Sequence, residues 1–310
     1  NQHEWESLYE TTDLWDALHR AAQDARLVVC TRSGEEVHLI QEDEEVTVPV
    51  RRVGFEWPAD LHSVWTRRAP RLAIAANAVS LLMPHMEPYV VASVRSQLPM
   101  LREVDPDLAE RATAYATQEA QHHGQHRRFN DLLAARYPGL ARVERLMAWI
   151  FGKLRTRSPL FGLAFAAGFE CIAFTAARWV DKRTRLLRGG DPTATTLFLW
   201  HLAEEVEHKS VAWDVYQRSV GPDGGGRLRY AWATWVAGVV LAGCSLLGTW
   251  VMLWHERRFW RPDAHVRLLV WSVSFIFVAL PAMIVSALPG HHPDSLVHPA
   301  GLAHWLDHFD

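Results

Sequence analysis

Trp200-His201-Leu202-Ala203-Glu204-Glu205-Val206-Glu207-His208 is the stretch that decides the fold. Within it, Glu205 and His208 are three positions apart. An α-helix turns about 100° per residue, so i and i+3 share a face and can reach one centre. The same spacing recurs in Gln118-Glu119-Ala120-Gln121-His122-His123. One Glu-x-x-His is commonplace on a solvated helix. Two copies in two long helical stretches are far more specific.

Each copy follows a lone glutamate in an earlier helix. Glu87 precedes Glu119, and Glu170 precedes Glu205. The order Glu, Glu-x-x-His, Glu, Glu-x-x-His is the ligand set of ferritin-like carboxylate bundles that hold two metal ions. Glu170 sits in the apolar run Leu160–Phe174, where an unpaired carboxylate costs several kcal/mol. A metal ion resolves that cost. The expected metal ligands, and the expected catalytic groups, are therefore Glu87, Glu119, His122, Glu170, Glu205 and His208. His201, four residues before Glu205, shares its face and is an additional candidate ligand. His126 extends the first motif in the same way, with His123 and His85 behind it. Tyr115, Trp200 and Asp214 are candidates for the surrounding layer, with Asp214 expected to bond a ligating imidazole. Glu204 and Glu207 point elsewhere on the helical wheel and are read as solvated or paired.

Carboxylates are hard donors that bridge two cations, and imidazole suits Fe, Mn and Zn. The three Cys are too scattered for a thiolate cage or a disulfide framework and fit a reducing compartment. The expectation is two Fe ions, with Mn or a mixed Fe/Mn pair next and Zn after that.

The helices around these motifs have legible ends. Asp105-Pro106 opens one that runs to about Tyr137, before Pro138-Gly139. Pro159 opens another to about Arg188, before Gly189-Gly190. Asp191-Pro192 opens a third to about Ser219. Pro84 and Pro88 flank Glu87 and predict a helix broken or started there. Near the N-terminus, residues 1–25 read as a charged amphipathic helix. Leu27–Thr31 and Val37–Ile40 read as a β-hairpin, with Val46–Val50 as a further strand.

Farther on, Ala231 to Trp254 and Leu268 to Leu288 contain no Asp, Glu, Lys, Arg or His. Each reaches the roughly 20 residues that cross a hydrocarbon core. Trp residues gather near their ends. The fold class is thus mainly α: a ferritin-like four-helix bundle, a small N-terminal β-hairpin segment and a C-terminal membrane hairpin. The expected divisions are 1–58, 59–220 for the bundle, a Gly-rich linker at 221–228, the membrane-inserted hairpin at 229–290 and a His-rich tail at 291–310. A mean hydropathy of −0.08 averages a polar bundle with an apolar hairpin. Arg257, Arg258, Arg261 and Arg267 crowd the hairpin turn, which the positive-inside rule would put in the cytoplasm. A spanning hairpin would then leave the bundle outside, against the metal chemistry. Either the many Arg of the main domain outweigh the turn or the hairpin is only partly inserted, and the expectation places the di-metal domain on the cytoplasmic side. With 32 Lys plus Arg against 35 Asp plus Glu, the chain carries −3 and is no nucleic-acid binder.

Several blocks also resemble one bacterial family. Val50–Trp57, Ser80–Glu87, Gln118–His122 with Arg127–Asn130, and Trp200–His208 with Asp214–Tyr216 look like the predicted metal-dependent hydrolases over roughly residues 46–220. The resemblance implies a metal-dependent enzyme and supplies no substrate. His201 before Glu-x-x-His is also similar to the additional histidine of the arylamine N-oxygenases, which implies oxygen activation.

The leading expectation is a membrane-attached di-iron oxidoreductase. It would activate O2 and oxidise an apolar small molecule from the membrane lipid, with electrons from an external ferredoxin or reductase. The second is a metal-dependent hydrolase using a metal-activated water. The third is a non-catalytic metal-binding subunit of a membrane complex. The expected assembly is a homodimer or such a complex.

Overall fold

The computed structural model describes residues 28–31, 37–41, 44–48, 54–58, 61–221, 226–297 and 299. The expected helix at 1–25, the linker residues 222–225 and most of the His-rich tail lie outside these. The chain divides into two compact units, Asn1–Gly54 and Phe55–Asp310. The expected bundle and the expected hairpin fall within the second.

In the first unit, strands β1 (Val28–Thr31), β2 (Val37–Gln41) and β3 (Glu44–Val48) form an antiparallel sheet in the order β1-β2-β3. Val28 faces Ile40, and Val37 faces Val48. β3 ends just before Pro49, which has no N–H to offer a ladder.

The second unit is helical among its described residues. Helices α1 (Pro70–Ser80), α2 (Met83–Arg95), α3 (Leu98–Val104), α4 (Pro106–Arg136) and α5 (Leu140–Leu154) precede α6 (Pro159–Asp181). Then come α7 (Pro192–His208), α8 (Val211–Val220), α9 (Gly226–His255) and α10 (Pro262–Ser286). Asp105, Ser158 and Asp191 cap α4, α6 and α7, each accepting from an amide three residues on.

Of the two alternatives at Pro84 and Pro88, the helix starts there. α2 begins at Met83, with Pro84 in its first turn, where a missing N–H costs nothing, and it runs unbroken past Glu87 with Pro88 absorbed one turn on. Two boundaries differ from the sequence reading. α6 stops at Asp181, short of Arg188. There the Arg183 side chain donates to the Trp179 carbonyl and takes the acceptor that a further helical turn would need. The stretch 191–219 is two helices, interrupted at Lys209 and Ser210, so His208 is the last residue of α7.

α2, α4, α7 and α6 pack in a closed ring, each against the next. α6 is apolar almost all round and is buried accordingly. α9 packs on α1, α5 and α6, and α10 packs on α6 and α1. Among the described residues, three helices, α6, α9 and α10, are long and apolar enough to cross a membrane. Of the apolar window in each, 83% is buried inside the protein for α6, 33% for α9 and 11% for α10. The protein core consumes α6. The other two keep apolar surface outside.

Candidate metal centre

The ring of α2, α4, α6 and α7 points one polar cluster into its interior. α2 supplies Glu87, α4 supplies Glu119 and His122, α6 supplies Glu170, and α7 supplies His201, Glu205 and His208. All seven are buried, Glu87, Glu119, His122 and Glu170 completely. Ligand-capable atoms of Glu119, His122, Glu205 and His208 lie within 4.8 Å of one another, as do those of Glu87, His122 and His201.

Glu119 and Glu205 are central. Glu119 Oε1 is 2.8 Å from His208 Nδ1 and 3.7 Å from His122 Nδ1. Glu205 turns Oε1 toward His201 Nε2, at 2.7 Å, and toward His122 Nδ1, at 4.0 Å. Its Oε2 faces His208 Nδ1 at 3.9 Å. Glu87 Oε1 is 3.8 Å from His201 Nε2.

The centre is short of partners. Both oxygens of Glu87 and of Glu119, Oε2 of Glu170 and of Glu205, and Nδ1 of His122 and of His208 are buried and make no hydrogen bond. Among the described residues, no arginine or lysine pairs with these carboxylates. Burial, and then the charge of Glu119, hold the Glu87 carboxyl well above its ordinary range. Orphaned polar atoms are rare in protein interiors and cost about 1–3 kcal/mol each. Eight of them in one buried cluster fit bound cations, and the carboxylate–imidazole donor set suits them.

The layer behind aims the imidazoles. His122 donates from Nε2 to Glu204 Oε2 at 2.8 Å, and His208 donates from Nε2 to Gln118 Oε1 at 3.1 Å. A neutral imidazole that donates from Nε2 carries its lone pair on Nδ1, the nitrogen facing the centre. Trp200 Nε1 holds Glu204 Oε1 at 2.9 Å, and the Tyr115 hydroxyl donates to Glu170 Oε1 at 2.5 Å.

A longer relay sets His201. Asn130 Nδ2 donates to the Ser80 carbonyl, which turns Oδ1 to receive the Ser80 hydroxyl at 2.7 Å. That hydroxyl then accepts from His126 Nδ1 at 2.8 Å, and His126 Nε2 accepts from His201 Nδ1 at 2.6 Å. At its other ring nitrogen, Nε2, His201 hydrogen-bonds the Glu205 carboxylate at 2.7 Å and faces Glu87. Burial, then the charge of His122, keep His201 below its ordinary pKa.

Seven of the sequence candidates therefore meet in one place. His126 lies one layer behind, with both ring nitrogens engaged. His85 is half-buried and stacks on Phe151. Asp214 bonds Arg111 and His292 in place of the ligating imidazole expected of it. Glu204 is fully buried, and it binds His122. Gln118, Ser80 and Asn130 were not singled out. Each lies within a block that carries the family resemblance, which is the signal that marks them.

A model of the family described as predicted metal-dependent hydrolase matches residues 49–296. No curated protein and no solved structure matches the chain. The family match corrects the leading expectation of an O2-activating di-iron oxidoreductase served by an electron donor. Carboxylates and imidazoles bind redox-active and redox-inert cations alike, so the donor set marks a metal site without choosing its reaction. Matched over most of its length, the chain belongs to the predicted metal-dependent hydrolases.

Proposed function

We propose that the cluster holds two divalent metal ions within a ferritin-like four-helix ring, and that the chain hydrolyses an ester or phosphoester. The orphaned donor atoms of all six motif residues carry this reading. Glu87, Glu119, His122, Glu170, Glu205 and His208 would hold the ions, with Glu119 and Glu205 each near both His122 and His208. His201, beside Glu87, would be an additional ligand. Iron, manganese or zinc suits these donors. When bound, such ions polarise a substrate oxygen and acidify a water. The chain's own part is orientation and exclusion. Glu204 and Gln118 fix the two imidazoles, Tyr115 fixes Glu170, and the apolar walls of α6 keep bulk water from the carboxylates. The apolar faces of α9 and α10 support attachment to a lipid bilayer and an apolar substrate.

The test begins with metal content. The full chain purified in detergent should hold about two first-row ions. It should hydrolyse members of a panel of p-nitrophenyl esters and phosphoesters under argon. Chelation should abolish the activity, and added metal should restore it. Glu119→Ala and His208→Ala should lose metal; full loading in both sinks the site. A loaded chain that turns over no ester or phosphoester sinks the activity.

A further inference from the structure

Away from the metal centre, a cavity of about 220 Å³ opens where the start of α1 meets the first turns of α10. Arg68, Arg71, Arg267, Val270 and Trp271 line it. Arg71 is only 5% exposed, yet its Nε has no hydrogen-bond partner. The nearest carboxylate, Asp263, is 3.7 Å from Arg71 Nη2 and already takes a 3.1 Å bond from Arg261 Nε. Burial, then the charges of Arg258, Arg267 and Arg261, lower the Arg71 pKa, with Asp263 acting against them. α1 starts here with no side-chain cap and no acidic residue in its first turn, so its positive end faces the same space.

A buried guanidinium among other guanidiniums is costly without a counter-ion. Planar guanidinium groups with a helix N-terminus are the donor set for a phosphate group. Val270 and Trp271 give the cavity an apolar wall. Val270 is 59% exposed, and Val266 and Leu269 on the same helix, at 58% and 62%, continue from it into the bare apolar face of α10. The cavity thus sits where charge gives way to apolar surface, as a headgroup does above its acyl chains.

We propose that this cavity is a binding site for a phosphate group, carried by an anionic phospholipid headgroup or by a free phosphate. It does not depend on the metal centre or on the hydrolase reading.

Native mass spectrometry of the full chain in an uncharged detergent separates the sources. The probes are phosphatidylglycerol, phosphatidylcholine and inorganic phosphate. Arg68 and Arg267 are exposed, so the double variant Arg68→Glu/Arg267→Glu tests the site without disturbing the core. Arg71→Ala is the companion, read only if it melts like the parent. Selective retention of phosphatidylglycerol, weakened at least about tenfold in the double variant, establishes a lipid site. Equal retention of inorganic phosphate, weakened likewise, establishes a free-phosphate site. Binding that is absent, or unchanged in the double variant, overturns the proposal.

Discussion

His122 and His208 each commit one ring nitrogen to an acceptor behind them and present the other to the centre. The i, i+3 spacing made the two Glu–His pairs legible, because helical geometry alone puts those side chains on one face. The supporting residues were less legible. A helical wheel says that Glu204 points away from Glu205, but not that His122 arrives there from α4. The consequence is measurable. Glu204→Ala leaves His122 Nε2 and Trp200 Nε1 without their buried acceptor, at roughly 1–3 kcal/mol each. It also frees the imidazole to turn. We expect metal affinity to fall by about 10–100-fold, measured by chelator competition, while Glu207→Ala, on the exposed face, leaves it unchanged. Equal affinities in the two variants would remove Glu204 from the site.

Among the elements, α6 shows what pattern reading reaches and where it stops. Its start was legible from Pro159, and its burial from an apolar run with no polar face. Its end was not, since the stop depends on where one arginine side chain turns. Its contact with α9 was hidden as well. A Cβ on Gly168 would stand 2.7 Å from the Thr234 backbone and closer still to its hydroxyl, so only glycine lets the two helices meet. Glu170 lies two residues on. Gly168→Ala should push α9 and α6 apart and cost about 1–3 kcal/mol, seen as a lower unfolding temperature. Because the shift reaches Glu170, metal content should fall with it. A stable variant with full metal would show that this packing does not position the centre.

For the molecule as a whole, the question is what covers α9 and α10. Their length and lack of a polar face were legible, but their packing along the bundle was not, because composition does not say which apolar helix the core will consume. The core took α6 and left Ile276, Phe277, Leu280 and Ile284 at 54%, 76%, 42% and 56% exposure on α10, with Trp232, Trp235 and Trp254 exposed on α9. Water is a poor partner for a surface of this kind, and monomeric soluble proteins rarely show one so continuous. Lipid is the cover that also suits tryptophans near the helix ends and arginines in the turn. We therefore expect the full chain in the membrane pellet of a bacterial host, retained through a carbonate wash and released by detergent. Ile276→Glu with Phe277→Glu places two charges on the bare face and should move a substantial fraction to the supernatant. If the parent is already soluble as a dimer, the cover is a second copy of the chain. If it is soluble as a monomer, the apolar face has no partner and the membrane reading fails.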